Sequence, residues 1–360
     1  MNPTRHAAAI LGAACFCLAL ALAGCGDGGK SSGKSTGKSA MVSAVGSYGD
    51  VALVVSDPRL DPLLERARGL LAPNETFVLK TEPTYRFRTF TDKNWQDARN
   101  YRNVIMAVRW GDGGAVQGAA KKLLPKDALE RALAGRGEVF TLRDPWLHSQ
   151  VAFVAVARDA DALVTLLNRQ APVLSAILAA DINRRIVDDH RRQGLLADPA
   201  ARQWRRFGFS VELPAAYREN QSEPGGFPGV EWLRTDGSTR GLTVSWEPAS
   251  SPESQLLDQQ FLVAMRERLG KALHQETIEQ ESFAWSQEKV AGLPAVKLAG
   301  SWVDAETQVG GPFRCYFVAD PAGGRVYCFD LLVYAPQSEK MDDFRRLRAI
   351  LETVSFREPA

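Results

Sequence analysis

The run Phe313-Arg314-Cys315-Tyr316-Phe317-Val318-Ala319-Asp320-Pro321-Ala322-Gly323-Gly324-Arg325-Val326-Tyr327-Cys328-Phe329-Asp330-Leu331-Leu332-Val333-Tyr334 sets the architecture of the second half of the chain. Two stretches rich in aromatic and β-branched residues, Phe313 to Ala319 and Arg325 to Tyr334, flank a segment whose Pro and paired Gly are turn chemistry. The reading is an antiparallel hairpin. Counting back with Ala319 facing Gly324 places Cys315 opposite Cys328, near enough for a cross-strand disulfide in an oxidising compartment. The other reading of the pair is two buried free thiols packing as small apolar groups.

Further strands lie upstream of the hairpin. Phe209 to Pro214 alternates and stops at proline, Val230 to Leu233 and Leu242 to Trp246 flank the turn Asp236-Gly237, and Thr277 to Trp285 and Ala295 to Val303 follow. A helix is expected from about Glu253 to Leu273. Another is expected from Ser338 to Val354, where Met341, Phe344, Leu347, Ile350, Leu351 and Val354 form an apolar stripe. Antiparallel strands with segregated helices define an α+β domain over residues 203–358. Residues 42–195 instead alternate strands (Val51 to Val55, Asn103 to Val108, Glu138 to Leu142, Val151 to Ala157) with helices, the pattern of a mixed-sheet α/β domain. The last helical pattern there is interrupted by Pro172, which predicts a kink or a restart.

The chain opens with Arg5 and His6, an apolar stretch from Ala7 to Leu22, and Leu22-Ala23-Gly24-Cys25. A cationic start, a short apolar helix and small residues before the cut are a secretory signal over residues 1–24. The Leu-Ala-Gly-Cys run resembles the lipobox of bacterial lipoproteins. That resemblance implies a diacylated Cys25 as the mature N-terminus, with Gly26 at the next position favouring the outer membrane. Acyl chains of that size hold a protein on a bilayer almost permanently. Residues 25–41 are Gly, Ser and Lys with little that is apolar, which makes a flexible tether. Within it, Gly28 to Ser35 satisfies GxxxxGK[ST] and Gly33 to Gly37 satisfies GxSxG. Neither has the strand and helix that would aim backbone amides at a phosphate or expose a nucleophile, so no nucleotide site is read there.

The C-terminal domain resembles the Mog1/PsbP-type α/β/α sandwich. The features are the Phe-x-Val-x-Leu-Pro opening, the mid-domain helix, Gly292-Leu293-Pro294-Ala295 before a strand, and a last helix ending in Val354-Ser355-Phe356. From about Gly46 to Phe356 the chain also resembles an uncharacterised family of bacterial lipoproteins, the domain of unknown function 4837. The shared elements are Asp144-Pro145-Trp146 with Gln150, Gly300-Ser301-Trp302, Gly311-Pro312-Phe313 and Val333-Tyr334-Ala335-Pro336. The family carries no established activity, so it implies a fold and no chemistry.

At 360 residues, 45% hydrophobic and 24% charged, the chain can build two real cores. The 44 Lys and Arg nearly balance the 42 Asp and Glu, which leaves no electrostatic footprint for nucleic acid. His148, His190 and His274 are isolated from one another, and no HExxH or CxxC spacing exists, so neither a metal nor another cofactor is expected. Asp188-Asp189-His190 reads as a solvated helix end, because adjacent helix residues diverge by about 100°. The arginines from Arg184 to Arg206 interleave with Asp181, Asp188, Asp189 and Asp198, which reads as a salt-bridged face. Trp146 and His148, in a polar loop between two strands, are the candidate ligand residues. The functional expectation is a non-enzymatic binding or assembly module on the periplasmic side of the cell envelope. It is held to the membrane by its lipid, and its partner is an envelope protein or polymer. The alternative is an envelope hydrolase or small-molecule binder with an interdomain site.

Overall fold

The computed structural model describes residues 42–77, 80–220, 228–304 and 306–357. Cys25, the leader and the tether lie outside the described residues, as does the side chain of His274.

The first half contains β1 (Asp50–Val55), α1 (Glu65–Leu71), β2 (Asn74–Phe77), β3 (Lys80–Pro83), β4 (Arg86–Phe90), α2 (Trp95–Ala98) and β5 (Asn103–Arg109). It continues through α3 (Gly114–Leu123), α4 (Lys126–Ala134), β6 (Glu138–Arg143), β7 (Val151–Ala157) and α5 (Ala160–Gln193). The strands form a sheet in the order β4-β1-β5-β7-β6, parallel except for β6, which pairs antiparallel with β7. Strands β5 and β7 are buried on both faces, which is why they read as unbroken apolar runs. On one face α1 and α5 pack against Leu53, Ile105 and Phe153, and on the other α2, α3 and α4 pack against Val54, Met106 and Val154.

Helix α5 runs unbroken through Pro172, where the sequence predicts a kink or restart. Pro172 is on the solvent side of the helix, where water can satisfy the carbonyl it leaves without a donor. At the amino ends of the strands, Arg185 of α5 is buried. Its guanidinium donates to the carbonyls of Arg102 (3.3 Å) and Ser149 (3.2 Å) and to Asn103 Oδ1 (2.6 Å), with Asp181 Oδ2 2.6 Å from Nε. Burial pushes this guanidinium down to about 10, while the Asp181 carboxylate opposes the shift. Asn103 Nδ2 in turn donates to the carbonyls of Tyr48 and Asp50.

The second half contains α6 (Ala200–Phe207), β8 (Arg218–Asn220), β9 (Gly229–Thr235), β10 (Thr239–Pro248), α7 (Pro252–Gln255), α8 (Gln259–His274) and β11 (Glu276–Val290). It ends with β12 (Leu293–Asp304), β13 (Gly310–Asp320), β14 (Arg325–Tyr334) and α9 (Met341–Leu351). Its seven-stranded sheet has the order β11-β12-β13-β14-β10-β9-β8, and every pairing is antiparallel. Helix α8 covers one face over Leu298, Phe317 and Cys328. Helix α9 covers the other over Val318, Phe329 and Leu331, giving the α/β/α layering. The whole is α+β, as the strand pattern predicts.

Three expectations change. The single helix from Glu253 to Leu273 is two, because Asp258 caps a new start by accepting from the amides of Gln260 and Phe261. The segment Phe209 to Pro214 is extended but joins no sheet. Its alternation instead buries Phe209, Val211 and Leu213 in the α9 side of the core, and its bridges are to Ser355 and Leu195. The cysteine register is also different. Asp320 pairs with Arg325 and accepts from the Gly323 amide (3.0 Å), so a turn of the length the count assumed closes one residue further along the chain. Cys315 therefore faces Asp330 and Cys328 faces Phe317, and both are buried free thiols rather than a directly opposed bridge. Burial, reinforced by the neighbouring Cys328 thiol, pushes the Cys315 thiol well up.

The described residues form one compact unit. The β2–β3 hairpin, early in the chain, docks on the last helix. Phe77 enters the core beneath α9 and stacks on Phe344 at 5.6 Å, with the Arg314 guanidinium 4.3 Å from the Phe344 ring. Glu82, 2% exposed, accepts from the amides of Lys340 (2.9 Å) and Met341 (3.1 Å), supplying the cap that α9 lacks locally. A carboxylate there satisfies orphan donors and meets the positive end of the helix. Glu82→Ala should lower stability by about 1–2 kcal/mol. The check is the urea midpoint, which should fall with the denaturant slope unchanged.

Candidate functional site

In a parallel sheet, ligands settle outside the carboxyl ends of strands whose connections leave to opposite faces. Here that place lies between β1, which feeds α1, and β5, which feeds α3, and it is filled by the protein's own side chains. Ser56 Oγ donates to Asp112 Oδ2 (2.7 Å), and Arg109 reaches Asp57 Oδ2 at 2.9 Å. The start of α3 is occupied by the Asp92 carboxylate, which accepts from the amides of Ala115 (3.2 Å) and Val116 (2.8 Å). The side-chain and backbone hydrogen bonds from Arg59, with the nearby charge of Arg109, hold Asp57 down to about 2 despite its burial. This is a closed ion network.

On the face of the sheet covered by α2 and α3, a cleft of about 470 Å³ runs between these helices and the β6–β7 loop. Trp95 and Trp146 form its aromatic wall, with ring centroids 6.3 Å apart and planes tilted by 59°. The Arg99 guanidinium lies 5.8 Å from one ring and 5.9 Å from the other, within cation–π range of both, and donates to Gln96 Oε1 at 2.8 Å. Trp95 and Arg99 come together because residues four apart on a helix share a face. On α3, Ala115, Gly118, Ala119 and Lys122 also follow helical spacing and line the other side. The space exists because that stripe is small: a Cβ at Gly118 would meet nothing within 4 Å.

Trp146 is held by a rigid loop. Asp144 and Ser149 have φ of 49° and 62°, and Asp144 Oδ1 accepts from the Gln150 amide (2.8 Å). The buried Gln150 amide group donates to the carbonyls of Arg99 (2.7 Å) and Tyr101 (2.6 Å). This ties the Trp146 loop directly to the segment carrying Arg99. His148, the other candidate, does not line the cleft. It is exposed, its Nδ1 is 3.4 Å from Asp144 Oδ2, and its backbone pairs with Val42 and Ala44. The structure thus brings Trp146 into a site and leaves His148 beside it. Trp95, Gln96, Arg99, Gly118 and Lys122 were not singled out from the sequence, although the Trp-x-x-x-Arg spacing was a signal that could have found them.

A larger groove, about 890 Å³, runs between β2 and the face of β11 and β12. Its lining is mainly Ser, Thr and Glu with one tryptophan, and its Glu75 is already paired with Arg314. Most of the interleaved arginines are neutralised: Arg184 by Asp181 and Asp188, Arg191 by Glu212, Arg192 by Asp189, Arg202 by Asp198 and Arg206 by Glu219. Motif residues Gly300 and Gly311 are packing positions. A Cβ at Gly300 would come within 3.0 Å of the Phe313 ring, and one at Gly311 within 2.9 Å of the Val333 carbonyl.

Residues 200–353 match the family model described as domain of unknown function DUF4837, so the resemblance read from the motifs is shown over that segment. The match spans most of the seven-stranded sheet and its helices, whereas the parallel sheet and the cleft lie outside it. No curated protein matches the chain. Among solved structures it is similar to one from Bacteroides thetaiotaomicron, at 12% identity and a TM-score of 0.28 over 46% of this chain and 49% of that one. The chain spans about half the length of that protein. It is also similar to LpqN of Mycobacterium tuberculosis, involved in cell envelope biogenesis, at 17% identity and a TM-score of 0.28. That match covers 47% of this chain and 95% of LpqN.

The end of α5 is not solvated at His190 as the sequence predicts, because the ring turns into the interior beside α9 and the sheet rather than out with Asp188 and Asp189. His190 is 5% exposed, and burial, reinforced by the charges of Arg346, Arg234 and Arg240, pushes its imidazole down to about 4. Between its ordinary value near 6.5 and about 4, the unfolded chain binds a proton that the folded chain refuses. Stability should therefore fall as pH drops through that window. Urea midpoints at pH 7 and 4.5 test this, and His190→Gln should flatten that part of the dependence.

Proposed function

We propose that the protein is a lipid-anchored binding module of the cell envelope that holds an envelope polymer in the Trp95–Trp146 cleft. The single observation that carries the reading is the cleft itself. Aromatic faces, an oriented cation and an amide converge on an open space beside a rigid loop, the usual composition of a binding pocket. Its volume also falls within the range of small-ligand sites.

The anchor rests on Leu22-Ala23-Gly24-Cys25, and the Gly/Ser/Lys stretch from Gly26 to Ala40 supplies the reach. Placement on the periplasmic side, and in the outer membrane rather than the inner, follows the secretory leader and Gly26.

Gly118→Leu tests the cleft without touching its aromatic or charged groups. Replacing a half-buried helical glycine whose Cβ would meet nothing within 4 Å should leave stability equal or raise it by up to about 1 kcal/mol. The wild-type protein should co-sediment with the insoluble polymer fraction of the envelope and the variant should not. Equal sedimentation of the two, with both folded, sinks the reading. For the anchor, Cys25→Ser should move the protein from the membrane to the soluble fraction. Mass spectrometry of the wild-type N-terminal peptide should show an acylated cysteine.

A further inference from the structure

We infer that the cleft selects an acidic sugar, a pyranose carrying a carboxylate, as the unit of the polymer it holds. The inference rests on the binding reading above and adds the chemistry of the ligand. Two cations line the space, Arg99 and Lys122, and no carboxylate lines it among the described residues. Arg99 has Gln96 as its polar partner in the cleft, and neither cation forms an ion pair there.

The two parts of the cleft make different demands. Occupation by a purely apolar ligand would strip water from the guanidinium, the ammonium and the Gln96 amide without replacing their hydrogen bonds, which is costly. A small inorganic anion would satisfy the cations and leave the half-buried Trp146 indole uncovered, Trp95 being buried behind it. A pyranose has a flat face of C–H groups that packs on an indole, hydroxyls for Gln96, and, when acidic, a carboxylate for the guanidinium. The arrangement of Arg99 suits this geometry because the rings and Gln96 fix the guanidinium before the ligand arrives, so little further order is lost on binding. The small stripe Ala115-Gly118-Ala119 leaves the facing side flat enough for a ring to enter.

The test compares a tetra-galacturonate with its methyl ester, which keeps the sugar faces and removes the charge. Full-length mature protein in detergent is titrated with each, following tryptophan emission, with Trp146→Phe as the reference for the site's signal. The acid form should bind at least ten-fold more tightly than the ester and lose most of that advantage at high salt. Lys122→Gln, a surface change, should narrow the difference between acid and ester, and Arg99→Gln should narrow it further. Inorganic phosphate should not compete at equal concentration. Equal binding of acid and ester, failure to bind either, or tighter binding of a simple aromatic carboxylate such as benzoate would each overturn the inference. If Gly118→Leu still abolishes polymer sedimentation while acid and ester bind alike, the cleft remains the binding site and only its charge selectivity is wrong.

Discussion

The two sheets of this protein share their last helix, and the rest of the structure depends on that sharing. Helix α9 buries Phe344, Leu347, Ile350 and Leu351 against the antiparallel sheet, while its Ala349 enters the core formed by α5 and the parallel sheet. In the other direction, Phe77 leaves the first half of the chain to fill the second core, and Glu82 beside it terminates the orphan amides of α9. Each core is incomplete without a residue from the other half. A helix end buried without a partner would be costly, so the hairpin and the helix must form together.

This exchange bears on the position of the cleft. Helix α5 is fastened to the amino end of the parallel strands by Arg185, whose guanidinium occupies the carbonyls of Arg102 and Ser149. Ser149 lies next to Gln150, and Gln150 holds the Trp146 loop against Arg99. A continuous chain of hydrogen bonds therefore runs from the core helix to the aromatic wall. The customary ligand position at the other end of the sheet is meanwhile filled by Asp92 and by the Asp57–Arg109–Asp112 cluster. The open space thus lies along the α2 and α3 face of the sheet, on a scaffold held by buried polar contacts.

The motifs that carry the family resemblance turn out to be mostly packing positions. Gly300 and Gly311 allow aromatic rings and a neighbouring strand to approach the backbone, and Gln150 spends its amide on two carbonyls. A motif that preserves a core reveals a fold and says little about chemistry. Gly300 and Gly311 lie in the segment that matches DUF4837, whereas Trp146 and Gln150, read as part of the same resemblance, lie outside it.

Local pattern determined a good deal: the apolar runs of β1, β5 and β7, the helical stripe of α9, the antiparallel hairpin and the α+β class. Periodicity and turn chemistry act over a few residues, so they are legible in one dimension. Register was legible only approximately, since a one-residue displacement of the turn moved Cys315 from Cys328 to Asp330. The continuity of α5 through Pro172 depended on which side of the helix the proline faces. Only the tertiary structure decided that Trp146 would meet Trp95 and Arg99 while His148 stayed outside, because those residues come from segments about fifty positions apart. Their meeting is set by how Gln150 reaches back to Arg99 and Tyr101, a contact that no local spacing encodes.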